Sequence, residues 1–168
     1  MNIHTIILAG GKGTRMLSQK AKVLQALGGR TMLNHVITVA NKISNKISVV
    51  VGFDKEGVEE EIKKIGINAN TYLQKEQIGT ADAVKTTLKD IDKNEKILIL
   101  YGDVPLIKEE TLKKLCNQES DLSILTTNLE NPTGYGRALK DKENNVLGII
   151  EEKDADLEQK KIKEIFTG

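Results

Sequence analysis

The chain has 168 residues, 39% apolar and 29% charged, the size and mix of one soluble globular domain with room for a real core. Its 25 basic and 24 acidic residues leave a formal charge of +1, and the only aromatics are three Tyr and two Phe. That removes both the electrostatic case for a nucleic-acid or membrane-surface partner and the base-stacking case for a single-strand binder. No apolar run approaches the ~20 residues of a membrane span, no basic-then-apolar leader opens the chain, and the lone cysteine, Cys116, speaks for a reducing cytoplasm.

Short β-branched runs alternate with amphipathic stretches from the start. Residues 3–9 read as a buried strand entering a glycine cluster. Leu33, Val36, Ile37 and Ala40 follow i, i+3, i+4, i+7 spacing, with Thr31 as the cap of that helix. Residues 47–51 are a second buried strand. Residues 54–65 form a helix whose acidic start and basic end suit the macrodipole. A short strand over 70–73, a helix over 81–91, a strand over 96–101 and a helix over 109–116 follow, then a strand over 122–127. Segments 135–140 and 146–152 flank the polar turn 141–145 and read as a hairpin. A last helical stretch covers 155–165, with the chain reaching Gly168 where another strand is expected. The alternation implies a three-layer, doubly wound, mostly parallel sheet with a late antiparallel hairpin, all within one domain, 1–168.

Two strand ends carry the chemistry. After the first strand comes Leu8-Ala9-Gly10-Gly11-Lys12-Gly13-Thr14-Arg15-Met16. Closely spaced glycines let backbone amides converge on an anion, and Lys12, Thr14 and Arg15 add donors and charge. The loop is neither a Walker A sequence nor a dinucleotide fingerprint, because Met16 stands where the latter needs Gly or Ala. After the apolar strand 96–101 comes Gly102-Asp103-Val104-Pro105. A carboxylate placed there is costly unless it binds something, which makes Asp103 a candidate Mg²⁺ ligand beside a phosphate cradle. Helix capping is the competing role for Asp103.

These segments, with Lys22-Val23-Leu24, Gln74-Lys-Glu-Gln-Ile-Gly-Thr80, Pro132-Thr-Gly-Tyr-Gly-Arg137 and Gly148-Ile-Ile-Glu-Glu-Lys-Asp154, occur in an order and spacing that resembles the uridyltransferase domain of bacterial N-acetylglucosamine-1-phosphate uridyltransferases. The glycine loop alone marks the wider sugar-nucleotidyltransferase superfamily, whereas residues 101–106 and 132–137 together are more specific. The resemblance implies a Rossmann-like fold of the nucleotide-diphospho-sugar transferase type. It also implies that UTP and N-acetylglucosamine 1-phosphate react to UDP-N-acetylglucosamine and pyrophosphate, for cell-wall precursors such as peptidoglycan and lipopolysaccharide. It further implies that Leu8, Ala9, Gly10, Gly11, Gly13 and Thr14 lie along the nucleotide and that Arg15 and Lys22 act catalytically on phosphate oxygens. Gln74, Gly79 and Thr80 would read uracil and hold the nucleoside, Asp103 would hold the Mg²⁺, Gly136 and Glu151 would contact the amino sugar, and Tyr101 and Gly102 would line the site.

Departures from the pattern matter too. Ala21 stands where Pro precedes the lysine, which should loosen that loop. Phe166 stands where an Asn contacts the sugar. The family's domain continues past Gly168 with a second metal ligand and then a β-helical acetyltransferase domain, so the chain reads as a domain incomplete at its C-terminus, a monomer and a slow enzyme. Cys116 reads as a packing residue, His4 and His35 have no ligand spacing near them that would make a zinc site, and Glu59-Glu60-Glu61 reads as a solvated helix face. The rival readings are a cytidylyl- or molybdenum-cofactor guanylyltransferase, and a nucleotide-binding module without turnover.

Overall fold

The computed structural model describes residues 2–13, 18–76 and 78–167. The chain forms two compact units, residues 1–117 and 118–168.

The first unit is built on four parallel strands: β1 (Ile3–Leu8), β4 (Lys46–Val51), β5 (Asn70–Leu73) and β6 (Lys96–Tyr101), in the order β5-β4-β1-β6. A small hairpin, β2 (Ala26–Leu27) and β3 (Arg30–Thr31), turns through Gly28 and Gly29, both at positive φ, the requirement of a two-residue primed turn. Among the described residues the α-helices of the unit are α1 (Met32–Ala40), α2 (Lys55–Ile65), α3 (Thr80–Lys85) and α4 (Glu109–Cys116). Because successive strand side chains point to opposite faces, Ile3 and Ile7 pack with Leu33, Val36 and Ile37 of α1, Val58 and Ile62 of α2, and Leu112 and Cys116 of α4. Ile6 and Val50 face the other way, against Ala83 of α3. The result is a three-layer sandwich, and the strands are continuous apolar runs because both faces are covered.

Local chemistry sets the helix ends. Thr31 Oγ1 accepts from the Asn34 amide at 3.0 Å and caps α1, whose periodic residues Leu33, Val36, Ile37 and Ala40 are all fully buried. The helix expected over 81–91 is shorter than that: α3 ends at Lys85 and a 3-10 turn follows at Leu88–Asp90. Thr86 and Thr87 turn their hydroxyls back onto the carbonyls of Ala83 and Val84, at 2.7 and 2.8 Å, and so compete with helix continuation.

At the amino-terminal side of the sheet, His4 is fully buried, its Nε2 2.7 Å from Ser48 Oγ and its Nδ1 3.0 Å from Glu95 Oε2. Tyr72 donates its hydroxyl to Asp90 at 2.7 Å, and burial pushes the Tyr72 phenol above its ordinary pKa. These buried polar groups are hydrogen-bonded to one another and have a structural role. Burial likewise pushes the Cys116 thiol up, in keeping with a packing role.

The second unit is an antiparallel sheet of order β7-β10-β8-β9: β7 (Thr126–Asn128), β8 (Arg137–Lys140), β9 (Val146–Ile150) and β10 (Glu164–Phe166). The expected hairpin is β8–β9, with Asn144 at positive φ in its turn. The helix expected over 155–165 does not form. Asp156 and Gln159 bond reciprocally, at 2.8 and 2.9 Å, and start only the single 3-10 turn Gln159–Lys161. Ile165 then pairs with Thr127 on one side and Arg137 on the other, so sheet pairing overrides the helix propensity of a Glu- and Lys-rich run. The strand expected over 122–127 is displaced to 126–128, where it pairs with β10. Among the described residues no helix is long and apolar enough to cross a membrane.

Candidate functional site

In an open parallel sheet a ligand crevice lies outside the carboxyl ends of the strands, where the order of connection reverses. Here that point is β1, from which the chain runs outward to β4 and β5 and then returns to β6 on the other side. A cleft of about 400 Å³ opens there, lined by Leu8, Ala9, Gly10, Gly11, Gly13, Lys22, Val23, Gln74, Gly79, Thr80, Ala83, Tyr101 and Asp103. The structure therefore brings Lys22, Gln74, Gly79, Thr80, Tyr101 and Asp103 to the glycine loop in one cavity, with Val23 and Ala83 as apolar lining. Gly102 lies beneath the lining rather than in it: it is buried, and a Cβ there would meet Leu8 O at 3.1 Å and Val23 Cγ1 at 3.0 Å. Thr14 and Arg15 lie outside the described residues.

The glycine loop is shaped by its neighbours. Ala9 donates its amide to Val50 O at 2.9 Å and Phe53 donates to Gly10 O at 3.1 Å, which prolongs the β1–β4 pairing into the loop. Gly13 has φ +60°, and a Cβ on it would come within 2.7 Å of Lys22 Cβ. Only glycine satisfies both the left-handed backbone and that contact. Lys12 stands over the Phe53 ring, 5.5 Å from its centroid.

Lys22 begins a 3-10 turn, Lys22–Leu24, and its Nζ donates to Asp103 Oδ2 at 2.6 Å. The two side chains are 42% and 30% exposed, so the pair sits at the solvent-accessible floor of the cleft rather than in the core. The segment before it is held more firmly than the sequence suggests. Ala21 is fully buried, and its N–H donates to Asp54 Oδ2 at 3.0 Å. The expected loosening from Ala in place of Pro is thus corrected, because Ala21 supplies a donor that proline lacks.

Gln74 follows β5 and is 7% exposed. Its side-chain nitrogen donates to Gly79 O at 3.1 Å and to Asp82 Oδ2 at 3.0 Å. Asp82 and Asp54 are neighbours of the motif residues Gln74 and Ala21 that motif reading passes over, because only the folded structure shows these contacts.

In the second unit, Gly136 and Glu151 are neighbours: a Cβ on Gly136 would be 3.5 Å from Glu151 Oε1. Glu151 is exposed, and Phe166 donates its backbone amide to Gly136 O at 2.9 Å. Arg137 makes its side-chain contacts within the protein. It is 1% exposed, donates to Glu152 Oε2 at 2.6 Å and to the Tyr135 carbonyl, and Glu152 also accepts from the Gly134 amide at 3.2 Å. The pair fastens the 132–136 turn that carries Gly136. The Arg137 guanidinium, followed by the Gly134 amide, holds the Glu152 carboxyl below the usual range.

Among the described residues no three His, Cys, Asp or Glu side chains cluster as a metal cage. A single hard carboxylate at the cleft floor suits a cation that takes its other ligands from phosphate oxygens and water, the habit of Mg²⁺. Asp103 fits that role, with the Lys22 ammonium as the charge it would exchange.

A parallel sheet with a glycine loop at its switch point and a lysine–aspartate pair across the cleft defines a nucleotidyltransferase-type site. The chain belongs to the MobA-like NTP transferase domain family, whose model matches residues 5–155. It is 46% identical over 169 residues to the bifunctional protein GlmU of Ruthia magnifica subsp. Calyptogena magnifica, covering 99% of this chain and 37% of that protein. It is 44% identical over 173 residues to the GlmU of Clostridioides difficile (strain 630), covering 100% of this chain and 37% of the relative. The chain thus spans little more than a third of the length of these curated relatives. The fold also matches a crystal structure from Bacillus anthracis described as a glucose-1-phosphate thymidylyltransferase, with a TM-score of 0.77 over 99% of this chain and 69% of that one. At 19% identity, that likeness concerns the fold alone.

Proposed function

We propose that this domain transfers a uridylyl group from UTP to N-acetylglucosamine 1-phosphate, releasing pyrophosphate and forming UDP-N-acetylglucosamine for cell-wall precursor synthesis in the cytoplasm. The observation that carries the reading is the cleft itself: glycine loop, Gln74 and the Lys22–Asp103 pair converge on one cavity of about 400 Å³. The similarity to the GlmU relatives over the whole chain supports the choice of substrates.

The chemistry suits this set of residues. The attacking group, a sugar phosphate, is already an anion, so no general base is needed. Rate enhancement comes from positioning and from offsetting phosphate charge. Backbone amides of the loop from Leu8 to Gly13 cradle the triphosphate, Gln74 faces uracil, and Gly79 and Thr80 border the nucleoside. Lys22 at the cleft, with Arg15 in the role its motif implies, would offset the charge that grows on phosphate oxygens as pyrophosphate leaves. Mg²⁺, held by Asp103, would supply further screening of the phosphates. Gly136 and Glu151 bind the amino sugar. Phe166 offers that sugar no side-chain hydrogen bond, which predicts modest affinity for it.

Pyrophosphate release from a panel of nucleoside triphosphates and sugar 1-phosphates tests the reading. Release with UTP and N-acetylglucosamine 1-phosphate in the presence of Mg²⁺ is the expected result. Preference for CTP or GTP, or UTP binding without release, would overturn it.

A further inference from the structure

The side-chain amide of Gln74 has its polarity fixed by the protein. Its nitrogen lies 3.1 Å from Gly79 O and 3.0 Å from Asp82 Oδ2. A backbone carbonyl and a carboxylate only accept, so both amide hydrogens are used and the nitrogen end cannot be exchanged with the oxygen end without setting acceptor against acceptor. The opposite end, Oε1, faces the glycine loop, 3.3 Å from where a Cβ on Gly10 would stand. Gln74 is 7% exposed and its own backbone amide is tied to Val51 O at 2.8 Å, so the side chain has little freedom to change places as a whole. What Gln74 can offer a base in the cleft is therefore one acceptor and no donor.

We infer that Asp82 is a positioning residue for nucleobase selection: its carboxylate holds the Gln74 amide so that Oε1, not Nε2, is presented to the base. The inference rests on the proposed uridyltransferase reading, in which Gln74 faces uracil. The uracil ring carries a donor at N3, flanked by two carbonyl acceptors, whereas cytosine has an acceptor at N3. A lone carbonyl acceptor facing N3 rewards the first and repels the second. Gly79 O alone is a weaker brace, because one hydrogen bond leaves the amide torsion broad and two-fold. Asp82 is the second brace that makes the orientation single-valued.

The test measures dissociation constants for UTP, CTP and N3-methyl-UTP in parent, Asp82→Ala, Asp82→Asn and Gln74→Ala proteins, with kcat and KM for UTP alongside. The inference predicts that Asp82→Ala lowers the preference for UTP over CTP by roughly tenfold, about the worth of one oriented hydrogen bond. It also predicts that the disadvantage of N3-methyl-UTP shrinks in that variant to the part owed to the methyl group's bulk, and that kcat at saturating UTP stays within about threefold, which is ~0.7 kcal/mol. Asp82→Asn, which keeps an acceptor oxygen, retains most of the preference, and that rescue separates orientation from a merely structural role. If Gln74→Ala abolishes the preference while Asp82→Ala keeps it within twofold of the parent, the positioning role of Asp82 is wrong and the base-reading role of Gln74 stands. If Gln74→Ala keeps the preference, the base-reading role falls and the inference falls with it.

Discussion

The Lys22–Asp103 contact illustrates how one geometry has different weights for stability and for function. An exposed ion pair contributes only ~0–1 kcal/mol to folding, and both side chains here are accessible. The same ammonium, turned toward a phosphate, makes a charge-assisted contact worth about 1.5–3 kcal/mol. Lys22→Met should therefore leave the melting temperature nearly unchanged while lowering kcat/KM about 10- to 150-fold. Thermal melts and steady-state kinetics on the same preparation check both halves, and a loss confined to KM would show that Lys22 binds the ground state and the transition state alike. Ala21 gives a second case in which magnitudes decide. Its φ of −53° and ψ of 143° would admit proline, and a proline would restrict the unfolded chain by ~0.4–1 kcal/mol. Proline would also remove the donor to the half-buried Asp54 carboxylate, worth ~1.5–3 kcal/mol. The loss outweighs the gain, so Ala21→Pro should lower the urea midpoint by an equivalent of about 1–2 kcal/mol; an unchanged or higher midpoint would contradict the role given to Asp54.

Elements differ in how firmly their ends are specified. Helix α1 has an apolar face in register and a cap at Thr31, whose hydroxyl also donates to Glu61 Oε1 of α2 at 2.8 Å. Thr31→Ala removes both contacts and should cost about 1–2 kcal/mol, read from denaturant unfolding, with Thr31→Ser recovering most of it. Elements of this kind were legible in the sequence, because apolar period, cap and flanking glycines agree: β1, β4, β6, α1, α2 and α4 lie within a residue or two of their expected bounds. The run after Ala155 was not legible. Its Glu and Lys content favours a helix locally, and only the pairing of Ile165 with Thr127 and Arg137 shows that it is a strand. The Gly28-Gly29 hairpin carried a readable turn signal, but its two-residue strands are too short to show a period.

At the scale of the molecule, the two units rest on different interactions. The first is an apolar sandwich around fully buried Ile6, Ile7, Val49 and Val50. The second has short strands and leans on ion pairs: Arg137–Glu152 at 2.6 Å and Lys140–Glu164 at 2.6 Å. The Arg137 guanidinium lowers the Glu152 carboxyl, and the Lys140 ammonium, then the Thr126 hydroxyl, lowers that of Glu164. A carboxyl that ionises at lower pH folded than unfolded adds stability in full above its ordinary value, about 4.3 for Glu, and loses it as pH falls through the folded value. Amide exchange of β8 and β10 should therefore quicken as pH drops below ~4, once corrected for intrinsic rates. Glu152→Gln should flatten the part of that dependence seen at β8. The candidate site follows the same division of legibility: its motif residues could be read because strand ends in an open sheet must meet at the switch point. Asp54 and Asp82 could not, since each acts through a partner far off in sequence or through a side-chain orientation that spacing does not encode.

The central claim, uridylyl transfer at the switch-point cleft, is tested most directly by following a mixture of UTP, N-acetylglucosamine 1-phosphate and Mg²⁺ with the protein by ³¹P NMR. The account predicts that the paired resonances of a diphosphate-linked sugar nucleotide and the single resonance of pyrophosphate grow in equal amounts, and that neither grows with Asp103→Asn of native-like circular dichroism. Unchanged substrate resonances with the parent protein, or product formation by the Asp103 variant at the parent rate, would contradict it.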